Sequence, residues 1–154
     1  MKASPNVQDS YSVLISIAGI VGIGVVVLVI ISHVGGWASL AEQYRCPEPF
    51  TGANWNFQRG QFRWLAGYNN CLRVGADSHG LFISVFPLFR IAHPPLYVPW
   101  REISVTRKRV FWIRQVQLLL GHELKIPFTI RESLAKKLQT AAGSSWPAES
   151  GSTL

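Results

Sequence analysis

YSVLISIAGIVGIGVVVLVIIS, residues 11–32, decides the architecture of this chain. These 22 residues carry no charge. At 1.5 Å per residue they make a helix of roughly 33 Å, matching a bilayer hydrocarbon core of about 30 Å. Valine and isoleucine are indifferent helix formers in water, but in lipid every backbone N–H and C=O must be satisfied within the segment, and a single segment does that only as a helix. Tyr11 opens the run and Trp37 lies just beyond it, where amphipathic rings favour the membrane–water interface. The rest of the composition fits this division. Only 15% of the 154 residues are charged, against about 25% in an ordinary soluble domain, and the deficit is concentrated in this run. Two cysteines are too few for a disulfide-built mini-domain, and the scattered glycine and proline exclude a collagenous or disordered chain.

A cleaved signal peptide is the competing reading. It would have a basic start, a 7–15 residue apolar core and a small-x-small cleavage site. Here MKASPNVQDS holds one lysine and one aspartate, the apolar run is longer, and His33-Val34-Gly35-Gly36-Trp37 follows it. The expectation is therefore an uncleaved anchor over 11–34 after a tail at 1–10. Lys2 is the only cation before the span, and all the other Lys and Arg residues come after it, with Arg45 alone close to its end. The local positive-inside signal is nearly balanced. The net charge of +7 and the two cysteines favour a cytoplasmic C-terminal domain at a bacterial inner membrane. Ala18, Gly19 and Gly22 form a small-residue patch, and Ala18 and Gly22 have the spacing that lets two helix backbones approach.

Past the span, Trp37, Leu40, Ala41 and Tyr44 fall on one helical stripe, which predicts a juxtamembrane helix within 35–46 that packs on the domain and ends at Pro47 and Pro49. Short period-two runs follow. Phe62 and Trp64 lie in the first, with Gly67-Tyr68-Asn69-Asn70 as its turn. Leu72, Val74 and Ala76 alternate with Arg73, Gly75 and Asp77, and Asp77-Ser78-His79-Gly80 is a turn cluster. Leu81, Ile83 and Val85 alternate with Phe82, Ser84 and Phe86. Leu96 to Ile103 is extended around Pro99. Phe111 to Leu120 changes phase between Ile113 and Val116, which suggests a bulge near Arg114. Leu124, Ile126, Phe128 and Ile130 alternate cleanly. Such spacing predicts an antiparallel sheet with one buried face. Thr129 and Glu132 have capping-box spacing for a last helix with an apolar face of Leu134, Ala135, Leu138, Ala141 and Ala142, closed by Gly143. A polar tail over 144–154 is expected to be disordered.

About seven short strands followed by one helix, over residues 50–143, resemble the pleckstrin-homology-like superfold, a bent antiparallel sheet sandwich whose C-terminal helix plugs one end. LFISVFPLFRIAHPPLYVPWREISV, from Leu81 to Val105, is similar to GRAM-like and bacterial PH-like modules. Through Gly35-Gly36-Trp37, Leu40-Ala41, Tyr44-Arg45, Tyr68-Asn69-Asn70-Cys71 and His93-Pro94-Pro95, nearly the whole chain resembles a family of small bacterial single-pass membrane proteins. The resemblance implies an α+β PH-like domain behind an N-terminal transmembrane helix, and no activity.

The residues supply little chemistry. There is no Walker A loop, GxSxG elbow, HExxH or GxGxxG. Asp9, Glu42, Glu48, Asp77, Glu102, Glu123, Glu132 and Glu149 form no evident acid–base pair. Cys46 and Cys71 with His79 and His93 lack the close ligand pairs of a zinc site, so neither metal nor cofactor is expected; a disulfide would need an oxidising compartment. Arg101, Arg107, Lys108 and Arg109 are the candidate anionic contact, for lipid headgroups or an acidic protein; the bland alternative is a solvated edge. The first hairpin of the PH superfold carries the basic residues of its inositide binders, and Gly67-Tyr68-Asn69-Asn70 has no cation there. Phe86, Leu88, Phe89 and Trp100 are candidates for docking on a partner or the bilayer, against the alternative of a loop that covers one end of the sheet. Together these point to a non-enzymatic module: an accessory subunit of a larger membrane complex, or an anionic-lipid adaptor, with no nucleic-acid partner.

Overall fold

A computed structural model of the chain describes residues 7–46, 49–64 and 66–150. The beginning of the expected N-terminal tail with Lys2, the helix stop at Pro47, Glu48 and the last four residues of the expected tail lie outside the described residues.

α1 is Val7–Gly35, 29 residues, or about 43 Å. It begins four residues before the uncharged run, where Asp9 sits in its first turn and complements the helix dipole. Its hydroxyls are answered locally: Ser12 donates to the Asp9 carbonyl and Ser16 to that of Ser12. Among the described residues, its most apolar stretch is not buried by the rest of the chain, and its end, with Ile31, Ser32, Val34 and Gly35, meets the domain. Gly36 turns the chain with φ +83°, a left-handed conformation that glycine adopts without strain. α2, Trp37–Tyr44, follows directly and buries Trp37 and Leu40. It packs on the domain, as its stripe predicts.

Seven strands form one antiparallel sheet: β1 Ala53–Phe62, β2 Ala66–Ala76, β3 Gly80–Val85, β4 Leu96–Pro99, β5 Ile103–Val110, β6 Ile113–Leu120 and β7 Ile126–Arg131. Their order is β4-β3-β2-β1-β7-β6-β5. The two edge strands are consecutive in sequence and joined by only Trp100–Glu102, a reach of roughly 13 Å. The sheet must therefore curl until its edges come together. α3, Glu132–Ala142, buries Leu134, Ala135, Leu138 and Ala142 against the sheet. A long apolar helix, a curled seven-stranded antiparallel sheet and a capping helix make the fold class that the sequence predicts. Phe62 stacks on Phe128 at 4.4 Å in the core, and burial of each such side chain contributes about 1.5–3 kcal/mol.

Five local expectations are corrected. The first hairpin turns at Arg63, not at Gly67 to Asn70: Phe62 pairs with Ala66 and Gly60 with Tyr68, and the ladder overrides the turn propensity of the Gly and Asn residues. No bulge lies near Arg114, because β5 and β6 pair without a break from Ile103↔Leu120 to Val110↔Ile113. The change of phase arises because Val110 to Ile113 sit at the hairpin tip, outside the core. The register shifts instead in β1, between Trp55 and Gln58 and between Gln58 and Gly60. β3 is buried on both faces, since Phe50 lies flat on Phe82 at 4.6 Å and the Arg73 guanidinium lies 5.7 Å from the same ring. Thr129 does not cap α3. It lies in β7 between Gln61 and Gln117, and Arg131 occupies the N-cap with no side-chain hydrogen bond. The expected disordered tail is instead ordered through residue 150. Trp146 packs on Trp100 at 5.3 Å, and the Ser150 amide donates to the Val105 carbonyl.

Candidate functional site

The most elaborate constellation is the joint where α1 enters the domain. Ser32, the last residue of the uncharged run, is fully buried and donates from Oγ to the Ala92 carbonyl at 2.7 Å. Arg63 reaches the Val34 carbonyl at 3.3 Å. The Trp37 indole N–H donates to the Pro94 carbonyl at 2.9 Å, and its ring lies 5.1, 5.7 and 5.2 Å from Phe62, Tyr68 and His93. The Tyr68 hydroxyl is 2.8 Å from His93 Nε2, while His93 Nδ1 is 3.3 Å from the Ile91 carbonyl. Nδ1 facing a carbonyl fits a ring protonated there that accepts from Tyr68 at Nε2. Burial holds the His93 pKa below its ordinary value and pushes that of Tyr68 up. Backbones are close as well. A Cβ on Gly35 would come within 2.8 Å of the Ala66 methyl, and one on Gly36 within 2.8 Å of Ile126. No linker separates helix and domain.

The loop after β3 borders this joint. A short 3-10 turn, Pro87–Phe89, leads to His93 and Leu96, which are buried, so part of the loop covers one end of the sheet. Phe86, Leu88, Phe89 and Ile91 remain exposed, Leu88 to 72%. The bulge in β1 brings Phe57 within 6.4 Å of Phe86, and the two rings, with Cys71 and Pro87, line a small cavity of about 170 Å³. Trp100, grouped with these residues by sequence, does not join them. It is 4% exposed, and its indole N–H donates to the Asp77 carbonyl at 2.8 Å. The Asp77 carboxylate locks the same turn, accepting from the Tyr97 hydroxyl and the His79 and Gly80 amides. Burial opposes its charge, but those hydrogen bonds prevail and hold its pKa below the usual value.

The basic residues do not form one patch. Arg101 precedes β5, whereas Lys108 and Arg109 approach its far end. Arg107 is already paired within the chain: it grips Glu149 through two contacts of 2.7 and 2.6 Å and reaches Glu132 at 3.2 Å. Those partners hold its pKa above the ordinary value, the Glu149 hydrogen bond most of all. Beyond Lys108 and Arg109 stand Phe111 and Trp112, 80% and 86% exposed.

Ala18, Gly19 and Gly22 are exposed on α1, and a Cβ on either glycine would meet nothing. Neither Cys46 nor Cys71 is in a disulfide, and burial pushes the Cys71 thiol up. Among the described residues, no three His, Cys, Asp or Glu side chains come together as metal ligands. The joint, Trp64 and the hairpin tip were not singled out by sequence reasoning. Their available signals were the Gly-Gly break after the span and the tryptophans beside turns. The chain matches no family model, and comparison with characterised proteins finds no match.

Proposed function

We propose that this chain is a non-enzymatic, membrane-anchored interaction module: an accessory subunit that braces a larger membrane complex of a respiratory, transport or photosynthetic kind, its domain on the cytoplasmic side of a bacterial inner membrane. The observation that carries this reading is the joint. Ser32 and Val34 of α1 bond to Ala92 and Arg63, Gly35 packs close to Ala66, and Trp37 bonds to Pro94 just beyond the helix, contacts that support a set orientation of the sheet domain on α1. A brace needs that rigidity, whereas an adaptor that searches for ligands is better served by a flexible tether. The circumference of α1 is left to other molecules, and the Ala18–Gly22 strip permits close approach of another helix. Mild-detergent extraction, sizing and mass spectrometry of what travels with the chain test the reading. A stoichiometric complex is expected, and Gly22→Leu should release the chain from it. A lone monomer or homodimer refutes the brace.

The exposed Phe111 and Trp112 beside Lys108 and Arg109 favour a second reading, an anionic-lipid adaptor that uses the hairpin. It predicts that Lys108→Ala with Arg109→Ala lowers the phosphatidylglycerol retained by the purified chain. Unchanged retention removes it.

A further inference from the structure

We propose that the rim of the sheet domain around the end of α1 is a bilayer seat: Trp64, Leu88, Phe89 and Ile91 rest in the headgroup and upper acyl region of the leaflet from which α1 emerges. This rests on the reading of α1 as a membrane span.

The depth follows from length. α1 is 29 residues, about 43 Å, which is the thickness of a bilayer with its headgroups rather than of its hydrocarbon alone. The turn holding Ser32 and Val34 therefore lies at headgroup level. Two separate loops of the domain are pinned there. The Ala92 carbonyl is 2.7 Å from Ser32 Oγ, which places Ile91 one residue from the helix. The Arg63 guanidinium is 3.3 Å from the Val34 carbonyl, and a Cβ on Gly35 would lie 2.8 Å from that of Ala66 and 3.6 Å from that of Phe62, so the first hairpin turn, which holds Trp64, lies against the end of α1. At this depth the domain exposes apolar side chains where a soluble surface would expose polar ones. Trp64 is 79% exposed, Leu88 72%, Ile91 53% and Phe89 39%. Loops normally present polar tips. A tryptophan and aliphatic side chains at the edge of a span have a ready partner in the interfacial lipid, which favours indole rings at this depth. The bilayer needs no recruitment here, because it is continuous with the surface that α1 already occupies.

The test uses the unmodified full chain in vesicles of phosphatidylcholine and phosphatidylglycerol, three to one, doped with a phosphatidylcholine that carries a photoactivatable diazirine high on one acyl chain. Adducts are mapped by peptide mass spectrometry. The seat predicts adducts on α1 and also on Trp64 and the segment from Leu88 to Ile91. Adducts on α1 without those overturn the seat and leave the span standing. An absence of adducts on α1 overturns the span and the seat together. Adducts on Phe111 and Trp112 in place of Trp64 and Leu88 also overturn the seat, because they bring the opposite end of β6 to the membrane. Leu88→Asp with Ile91→Asp, both exposed positions, should reduce adducts on Trp64 and Phe89 several-fold and leave those on α1 unchanged. Equal labelling in this variant overturns the role assigned to the apolar rim.

Discussion

Trp37→Ala is the sharpest perturbation of the joint. Trp37 is fully buried, lies against three rings at 5.1–5.7 Å and satisfies the Pro94 carbonyl. Truncation leaves a cavity worth about 3–5 kcal/mol, and the stranded carbonyl adds about 1 kcal/mol or more. A loss near 5 kcal/mol is comparable with the whole stability of many small domains, about 5–15 kcal/mol. At about 4–8 °C per kcal/mol for a domain of this size, the melting point should fall by roughly 20 °C or more. Trp37→Phe keeps most of the ring and loses the hydrogen bond, so its cost should be roughly 1–3 kcal/mol. The assay is thermal unfolding of the full chain in mild detergent, followed by near-ultraviolet circular dichroism, which senses aromatic packing and to which α1 brings one aromatic residue, the exposed Tyr11. If the alanine variant melts within about 5 °C of the wild type, or phenylalanine costs as much as alanine, the joint is not held as described.

Gly60→Ala should destabilise the domain by about 1–3 kcal/mol, because a Cβ there would collide with the Phe128 ring; the same melting assay reads it, and an unchanged melting point refutes the close approach. The lowered pKa of His93 means that folding favours the neutral ring. Its contribution is complete above the unfolded-state value of about 6.5 and is lost as pH falls through the depressed folded-state value, so the melting point should drop on acidification from pH about 7.5 to 5, and His93→Gln should flatten that dependence. Glu149→Ala should cost less than about 1 kcal/mol, since the Arg107 pair is partly exposed, yet it should strip the Ser150 amide of protection in hydrogen exchange by releasing the segment bonded to Val105. Retained protection would show that Trp146 alone holds the tail.

The parts legible in the sequence are those governed by local periodicity. The apolar span needs only composition and length, and the Leu72–Ala76 and Ile126–Ile130 alternations reflect the pleat directly. What escaped depends on distant partners. Arg107 looks like a solvated cation until Glu149, 42 residues away, is seen to fold back onto it. Trp100, between Pro99 and Arg101, has the appearance of an exposed loop aromatic, and only the Asp77 turn and Trp146 explain its burial. Thr129 and Glu132 have the spacing of a cap by coincidence, since the strand runs directly into the helix. The joint does not show as a unit because its residues come from three separate stretches of the chain: Ser32 with Trp37, Tyr68 and His93. Trp37 alone reads as an interfacial aromatic, whereas its ring is fully buried in the joint.

The direct passage from α1 into the domain has a mechanical consequence. A domain on a slack tether is indifferent to how its anchor leans, but here the anchor's angle is the domain's angle. The hairpin tip at Phe111 and Trp112 lies about 26 Å along β6 from Leu120, near the α1 end of the sheet. In a bilayer, a lean of about 20°, ordinary for a spanning helix, would sweep that tip through an arc of about 9 Å. For a membrane-spanning α1, bilayer thickness, which sets the lean of a helix too long for its hydrocarbon, would thereby become a coordinate of the far end of the sheet domain. With α1 in a bilayer, the chain would act as a pointer whose longer arm, about 43 Å of helix, is the anchor.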